Sequence, residues 1–495
     1  MYPSNPVSLR YLEYSEGKKR KWLTPAFALV SILAGVIIAY LVGTTGLTSL
    51  VIVPGIFLLI IAVIVPEVAL FGLLFIIFIN LSDVLINYHG LPSIAKPLVG
   101  IVLGILLIRA AVYKDRFYGW RSFLFLALLY GLVGMIPMLI AADFGQISLT
   151  SQDYIKDVFI GLEIILLIRT PKNLRHAIWV LLLAGLLMAG LTYYQQVTNT
   201  LDNPYWGFGK TTYDSISGLR IAGPIGDPNT FAQIMAVLMP LALERFWNEK
   251  KWFLRYLALG ILFLCGFSVV FTYSRGGFLA IVISLLFMAI RRPPRPTLVV
   301  GILGILLFVS QLFPENYVER ISTLLSFLPN SKNSVLQDRS FRGRSSENLV
   351  GMMMFKDHLL IGVGAGNFND NYQYYSRRLG LDFRREPRSA HSLYLEIAAE
   401  RGILGLISFS AIVGFTYWSL WRAENSYSRL GRKDFADLTV ALSSGLTAYL
   451  IAALFLHDSF IRYFWVLIGV AWAAASIAKQ QTTHQSARQS GVSLR

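Results

Sequence analysis

A polar, arginine-rich stretch, 314–390, interrupts a series of apolar segments and leads into His391. Eight of its arginines fall in two runs: Arg339, Arg342 and Arg344, then Arg377, Arg378, Arg384, Arg385 and Arg388. A histidine titrates near neutral pH, so His391 is the natural general base among these groups. The competing interpretation is structural, because a lone histidine at the start of a helix is more often a cap or a surface residue.

A second candidate site surrounds Arg220. This arginine precedes a Gly/Pro-rich turn, 223–228, that opens a predicted helix near Asn229. A helix N-terminus offers unpaired N–H groups and a partial positive charge, which suits a phosphate. The alternative is an ordinary loop in which Asp227 or Asn229 caps the helix.

Arg275 lies between two predicted apolar helices and is followed by Gly276 and Gly277. Glycines allow a tight turn and a close approach of the backbone to a ligand. An arginine that faces the interior of a membrane bundle is costly unless it is paired, so such residues are functional candidates. The structural alternative is a side chain that extends to the membrane interface.

Composition indicates the class of protein that must position these groups. The 495 residues are 55% hydrophobic and 15% charged, which is too apolar for an ordinary soluble protein. Segments of about 20 apolar residues, enough to cross a bilayer, recur along the chain. Fourteen spans are predicted, near 24–43, 49–65, 67–82, 94–112, 121–142, 155–169, 175–196, 229–246, 253–273, 276–291, 297–313, 393–421, 436–457 and 461–478.

The charges of the connecting loops predict the orientation of these spans. Lys18, Lys19, Arg20 and Lys21 precede the first span, and every second loop is basic, which places both termini in the cytoplasm. A count of twelve spans would give the same orientation, because removing one pair of spans leaves both termini in the cytoplasm. This topology puts 197–228, the Arg275 turn and 314–392 outside. The net charge of +16 is then mainly a topology signal and requires no nucleic acid. The single cysteine, Cys265, excludes a disulfide framework.

The order of these motifs resembles the O-antigen ligase and O-antigen polymerase superfamily of bacterial membrane glycosyltransferases. Arg220 with GPIGDPN, then SRGG, MMMFKDHLLIGVGAGNF and AHSLYLEIAAERGILGL follow one another as in that family. The resemblance is strongest from about 205 to 420. One departure is Ser392, since asparagine commonly follows the histidine in the family.

The apolar segments and loop charges predict an all-α polytopic membrane protein with about 14 (12–14) transmembrane helices, which would be GT-C-like. A large external subdomain would lie between the eleventh and twelfth spans. The expected parts are a cytoplasmic tail at 1–23, an N-terminal bundle at 24–196, a core domain at 197–421 that includes loop 314–392, C-terminal helices at 422–478 and a cytoplasmic tail at 479–495.

The resemblance also implies a reaction at the external, periplasmic face of the bacterial cytoplasmic membrane. A glycan would pass from an undecaprenyl-pyrophosphate donor to a hydroxyl of lipid A core or a growing polysaccharide, without a cofactor or metal. Arg220 and Arg275 would clamp the pyrophosphate, Arg344 would orient donor or acceptor, and His391 would be the base. Candidates for supporting roles are Asn229, Asp357, Ser392 and Glu400.

Three functions stay open. A ligase would transfer finished chains to a terminal acceptor, whereas a polymerase would join repeat units on the lipid carrier. A transporter or flippase of a lipid-linked saccharide would form no bond. The third is disfavoured because the sequence shows no internal repeat and few ionisable residues in the middle of its spans.

Overall fold

The computed structural model describes residues 65–112, 119–139, 144–214, 218–293, 339–381, 388–457 and 461–489. The chain divides into two compact units, 1–69 and 70–495, and the candidate site lies wholly in the second. Fourteen α-helices lie in the described ranges: α1 Pro66–Phe78, α2 Leu81–His89, α3 Ala95–Val112, α4 Trp120–Met135, α5 Phe144–Leu167, α6 Pro171–Val197, α7 Pro228–Asn248, α8 Trp252–Phe271, α9 Arg275–Arg291, α10 Arg339–Asp357, α11 Phe368–Arg378, α12 Leu393–Arg429, α13 Lys433–Ala452 and α14 Ile461–Gln489.

The helical membrane class is confirmed by length and apolar composition. Among the described residues, four helices are long and apolar enough to cross a bilayer: α6, α8, α12, and α13 with its 3₁₀ extension to Phe455. The bent pair α1 and α2 makes a fifth if it forms one span. The predicted spans 24–43, 49–65 and 297–313 fall wholly or almost wholly outside the described residues. The count of fourteen spans therefore stays a prediction.

The predicted span 67–82 is broken in the structure. Helices α1 and α2 meet at an angle of 52°. Asn80 lies at the break with φ 56°, a left-handed conformation that an α-helix cannot contain but that asparagine tolerates better than most residues. Its amide Nδ2 donates to the carbonyl of Pro224 at 3.2 Å, so the break contacts the turn that precedes α7.

Helix α7 is the centre of the described bundle. It packs on α6, α8, α9 and α13. Its buried residues run around the whole circumference rather than along one stripe, as expected of a helix surrounded by other helices. The first turn of α7 is therefore held firmly at one end of the bundle.

The all-helical prediction missed a two-stranded sheet. Strand β1, Lys210–Asp214, pairs antiparallel with β2, Gly218–Gly223, and places Thr212 opposite Arg220. The strand KTTYD carries two β-branched threonines and a tyrosine, residue types that favour strands over helices. This hairpin carries Arg220 to the start of α7.

The described part of the 314–392 stretch forms helices, as the sequence predicts. Helices α10 and α11 pack against the start of α12. The cluster between them consists of buried apolar and aromatic side chains: Val350, Met354, Phe368, Tyr372, Tyr375, Ala390 and Ala399. A separate apolar core packs this segment, residues 339–381 and 388–392, on α12. We call it the outer segment, after its predicted position outside the membrane.

The first part of α12 is joined to the outer segment through its backbone. The chain kinks at Gly402, with φ 62° and ψ −161°. Around the kink, the carbonyls of Leu359 and Ala399 accept bonds from the N–H groups of Ile403 at 2.8 Å and Val363 at 2.9 Å. Gly402, in the motif ERGILG, therefore allows the glycine-rich loop 362–366 to approach α12.

Replacing Gly402 by alanine is expected to destabilise the protein strongly. A Cβ at this position would lie 2.4 Å from the carbonyl carbon and oxygen of Leu360, and the backbone already has a positive φ. Strain and overpacking together should lower the free energy of unfolding by more than about 2 kcal/mol. Thermal unfolding in detergent measures this. Gly414→Ala, in the same helix with open space around it, is the matched control and should not lower the melting temperature.

Candidate active site

Arg220 is buried where the hairpin meets two helices. Its Nε donates to the carbonyl of Thr272 at 2.8 Å, and Nη2 donates to Oδ1 of Asn229 at 3.1 Å. The carboxylate of Asp214, on the opposite strand, lies 3.7 Å from Nη1. With only 8% of its surface exposed, Arg220 is fixed between β1, the first turn of α7 and the end of α8.

The first turn of α7 is capped in the way that Ser, Thr, Asp and Asn typically cap helices. Asp227 accepts from the backbone N–H of Thr230 at 2.7 Å and from its hydroxyl at 2.8 Å, and Pro228 occupies the first helical position. Asn229 is therefore not the cap, and its side chain is available to hold Arg220. The positive end of the α7 dipole lies at this site.

Arg275 opens helix α9 directly after the cap residue Ser274, whose hydroxyl accepts from the N–H of Gly277 at 3.2 Å. A Cβ on Gly276 would lie 3.0 Å from the Phe455 ring, and a Cβ on Gly277 would lie 2.6 Å from Cβ of Ala232. The two glycines thus let α9 start against α7 and the 3₁₀ turn 453–455. Arg275 is half-buried and follows Thr272, whose carbonyl accepts from Arg220, by three positions along the chain.

His391 has its ring nitrogen Nδ1 between two oxygen acceptors. Nδ1 lies 3.1 Å from the carbonyl oxygen of Ser389 and 2.9 Å from Oε2 of Glu347. The carbonyl oxygen of Ser389 can only accept, so its hydrogen bond assigns the proton of the neutral ring to Nδ1. Nε2 is then the basic nitrogen, and about a third of the side chain is exposed.

Glu347 is a site residue that sequence reasoning missed. It lies in α10, only 2% of its side chain is exposed, and its Oε1 accepts from Nη1 of Arg388 at 3.2 Å. A usable signal was present: Glu347, Val350 and Met354 follow helical spacing and are all buried, so an acidic residue occupies the apolar face of α10. A carboxylate in such a place needs partners.

His457 completes the cluster. Its ring centroid lies 5.7 Å from that of His391, at an interplanar angle of 54°. Burial, and then the neighbouring His391, lower the pKa of His457 below its usual 6.5, while Asp227 and Glu347 act in the opposite direction. His457 therefore brings the α7 cap and the His391 region together. The sequence alone favours a polar turn here, and it cannot show which distant residues this turn meets.

Because the pKa of His457 is lowered in the folded protein, the free energy of unfolding is expected to fall in acid. The folded protein holds this imidazole neutral, while in the unfolded chain it protonates near pH 6.5, so stability is present above that pH and is lost as pH falls. The melting temperature in detergent should drop between about pH 7 and about pH 5. His457→Gln should weaken this drop, and an equal drop in both proteins would show that His457 does not contribute.

The other predicted site residues have different surroundings. Asp357 pairs with Arg378 and bonds to Tyr375, which joins α10 to α11. Glu400 is buried and accepts from the N–H groups of Gly366 at 2.8 Å and Phe368 at 3.2 Å, so it holds the glycine-rich loop.

Ser392 and Arg344 complete the predicted set. Ser392 occupies the N-cap position of α12, beside His391, without a side-chain capping bond. Arg344 belongs to helix α10, and its side chain lies outside the described residues.

A chain of contacts thus joins four predicted residues to two that were not predicted. Arg220 contacts Asn229 and the end of α8. Gly276, which follows Arg275 at the start of α9, packs on Phe455, two residues before His457. His457 contacts His391, and His391 contacts Glu347. The arrangement offers two arginines, a helix N-terminus and an oriented imidazole at one end of the bundle, which suits an anionic leaving group and a general base.

The fold and this cluster define a polytopic helical membrane protein with a polar site at one end of its bundle. Residues 260–410 match the family model described as O-antigen ligase, which confirms the resemblance to the O-antigen ligase and polymerase superfamily. The matched range contains Arg275, Glu347 and His391, whereas Arg220 and His457 lie outside it. None of the curated proteins matches the chain.

Proposed function

We propose that this protein is a membrane glycosyltransferase that transfers a glycan from an undecaprenyl-pyrophosphate donor to an acceptor hydroxyl. The observation that carries the proposal is His391. Within the O-antigen ligase match, its Nδ1 is hydrogen-bonded to the carbonyl of Ser389 beside the buried Glu347 carboxylate, which leaves Nε2 as the basic nitrogen. His457, which faces His391 and interacts with Asp227 at the α7 cap, connects this histidine to the end of α7 that holds buried Arg220. A glycosyl transfer needs both a base for the acceptor and positive charge for the leaving pyrophosphate.

In the proposed step, the acceptor oxygen attacks the anomeric carbon of the donor sugar. Nε2 of His391 takes the hydroxyl proton as the new carbon–oxygen bond forms. The bond from the anomeric carbon to the pyrophosphate oxygen breaks, and that oxygen keeps the electron pair. A single displacement of this kind inverts the anomeric configuration. It produces undecaprenyl pyrophosphate and leaves one proton on His391 for release to solvent.

Arg220 and Arg275 are proposed to bind the pyrophosphate. Negative charge develops on the leaving oxygens, and fixed donors stabilise it without having to reorganise during the reaction. Arg220 meets this requirement, because its bonds to Thr272 and Asn229 set the plane of the guanidinium in advance. The start of α7 adds its dipole. We propose that these groups replace a divalent metal, so activity should persist in EDTA.

The remaining assignments follow from position. Arg344 is proposed to orient donor or acceptor from α10, the helix that carries Glu347. Asn229 supports the reaction through its bond to Arg220, and Ser392 lies next to His391 at the start of α12. The contacts of Asp357 and Glu400 favour roles in holding the outer segment together.

The site is proposed to face the external side of the bacterial cytoplasmic membrane. The basic loops on the opposite side support this orientation, since Lys and Arg in short loops stay in the cytoplasm. The polyprenyl tail would remain in the bilayer, between helices, while the pyrophosphate reaches the polar cluster. Lipid A core or a growing polysaccharide would supply the acceptor hydroxyl.

A ligase is the preferred assignment because the matched family model carries that description, and a repeat-unit polymerase is the alternative. Analysis of the surface glycans of a strain that lacks the protein distinguishes a ligase from a polymerase. Loss of a ligase leaves long chains on the lipid carrier, whereas loss of a polymerase leaves single repeats. A carrier that accumulates on the cytoplasmic side without any change in chain length or attachment would indicate transport and contradict the proposal.

A further inference from the structure

The function proposed above places Glu347 beside His391 but assigns it no step, yet it is one of the most deeply buried charged residues of the outer segment. It lies on the apolar face of α10 with 2% of its side chain exposed. Burying an ionised carboxylate is costly unless it is paired and hydrogen-bonded. A residue that serves only to fill the core could be apolar at lower cost. The free-energy cost of burying this charge therefore indicates a functional role for Glu347. The partners of its two carboxylate oxygens show which role that is.

The two carboxylate oxygens of Glu347 have different partners. Oε1 accepts from Nη1 of Arg388 at 3.2 Å. Oε2 is buried and makes no hydrogen bond among the described residues, and it lies 2.9 Å from Nδ1 of His391, within ion-pair distance of the imidazole once the ring is protonated. Arg388 thus anchors one oxygen and leaves the second directed at the imidazole. The hydrogen bond of the same nitrogen is with the carbonyl oxygen of Ser389 at 3.1 Å, and because a carbonyl can only accept, the neutral ring carries its proton on Nδ1, beside the Glu347 carboxylate.

We infer that Glu347 is the positioning residue of His391: it fixes the proton on Nδ1, aims Nε2 at the acceptor hydroxyl and stabilises the imidazolium formed when Nε2 takes the proton. This inference rests on the proposed function. A carboxylate that orients a histidine in this way is a general device of hydrolytic and transfer enzymes. Here the carboxylate and the histidine are 44 positions apart along the chain.

The other charged groups around His391 define its electrostatic surroundings. Arg388 lies behind Glu347 and partly neutralises it. His457 faces the His391 ring from the 453–457 segment, with a pKa lowered by burial and by His391, and Asp227 at the α7 cap acts on His457. Glu347 is the one carboxylate among the described residues with an oxygen within 4 Å of His391. It is therefore the group whose removal should change the base most.

The test is Glu347→Gln in the full-length protein, reconstituted in liposomes with an undecaprenyl-pyrophosphate oligosaccharide and an acceptor. We expect kcat to fall about 10²-fold, with KM for the lipid-linked donor nearly unchanged, because only the transition state gains from the imidazolium contact. Without the negative charge the imidazole is harder to protonate. The acidic limb of the pH–rate profile should therefore move to lower pH by about one unit.

Three further variants allow the inference to be tested even if Glu347→Gln does not fold. Arg388→Gln leaves the Glu347 charge less neutralised, so its acidic limb should move the other way, to higher pH. Glu347→Asp keeps the charge and should recover part of kcat. Asp370→Asn, an exposed carboxylate in α11 of the same outer segment, is the matched control and should behave as wild type. If Glu347→Gln does not fold, the opposite shift of Arg388→Gln and the activity of Glu347→Asp decide the question.

The outcomes separate this inference from the proposed function. If the wild-type protein transfers glycan and Glu347→Gln keeps both its kcat and its pH profile, Glu347 is structural and the inference is overturned. The inference is also overturned if Glu347→Gln loses activity at every pH without a shift while Arg388→Gln leaves the profile unchanged. If wild-type protein transfers no glycan to any acceptor, the proposed function itself fails.

Discussion

Replacing His391 by alanine is expected to reduce glycan transfer by about 10²- to 10⁴-fold, the range that general acid–base catalysis contributes. The loss should appear in kcat, because the base acts on the acceptor hydroxyl rather than on the lipid carrier. His391 is a third exposed and sits before the start of α12, outside the buried contacts of that helix. The variant should therefore fold, and turnover of a lipid-linked donor measures the loss.

His358→Ala is the matched control for this substitution. His358 belongs to the same outer segment and is exposed at the end of α10. Its replacement should leave transfer within the scatter of the assay. A His391→Ala protein that transfers glycan at the wild-type rate would show that another group is the base, and equal losses in both variants would point to a general effect on the outer segment.

The second large effect is expected for Arg220→Lys. Lysine keeps the charge, but a single ammonium group cannot match the planar guanidinium that donates to Thr272 and Asn229. If Arg220 stabilises the leaving pyrophosphate, kcat should fall about 10²-fold, which is typical for the loss of one well-placed donor. Single-turnover measurements with a pre-bound donor separate this loss from weaker donor binding.

Arg255→Lys provides the matched comparison. Arg255 is exposed in the first turn of α8, at the opposite end of that helix from Thr272, and its guanidinium lies over the Phe246 ring. The same change there should leave turnover unaffected. Near-normal turnover by Arg220→Lys, in a protein with an unchanged melting temperature, would remove Arg220 from the proposed clamp and leave it a purely structural arginine.

Much of the scaffold could be predicted because apolar segments of membrane length leave few alternatives to helices. The described helices α6, α7, α8 and α9 begin and end within a few residues of the predicted spans. Arg220, Arg275 and His391 could be singled out because each lies at or shortly before the start of a helix or a turn, where polar groups and glycines interrupt an apolar pattern. Such interruptions can be recognised from the local sequence alone.

The sequence could not show partners that meet only in three dimensions. Glu347 reaches His391 from another helix, and His457 faces His391 from a turn after α13. The bond between Arg220 and the end of α8 depends on a hairpin whose strands are too short and polar to stand out among apolar helices. The kink at Gly402 arises because backbone groups of the 359–364 loop pair with α12, a contact that no spacing of residues encodes.

The most direct measurement is reconstitution of the purified protein in liposomes with a short undecaprenyl-pyrophosphate oligosaccharide and an acceptor, in EDTA, followed by gel and mass analysis. The proposed function requires that the wild-type protein form a new glycosidic bond and release undecaprenyl pyrophosphate, while His391→Ala does not. A ladder of longer lipid-linked chains would identify a polymerase, and transfer to a separate acceptor would identify a ligase. A donor that crosses the bilayer chemically unchanged, or equal transfer by His391→Ala, would contradict the account.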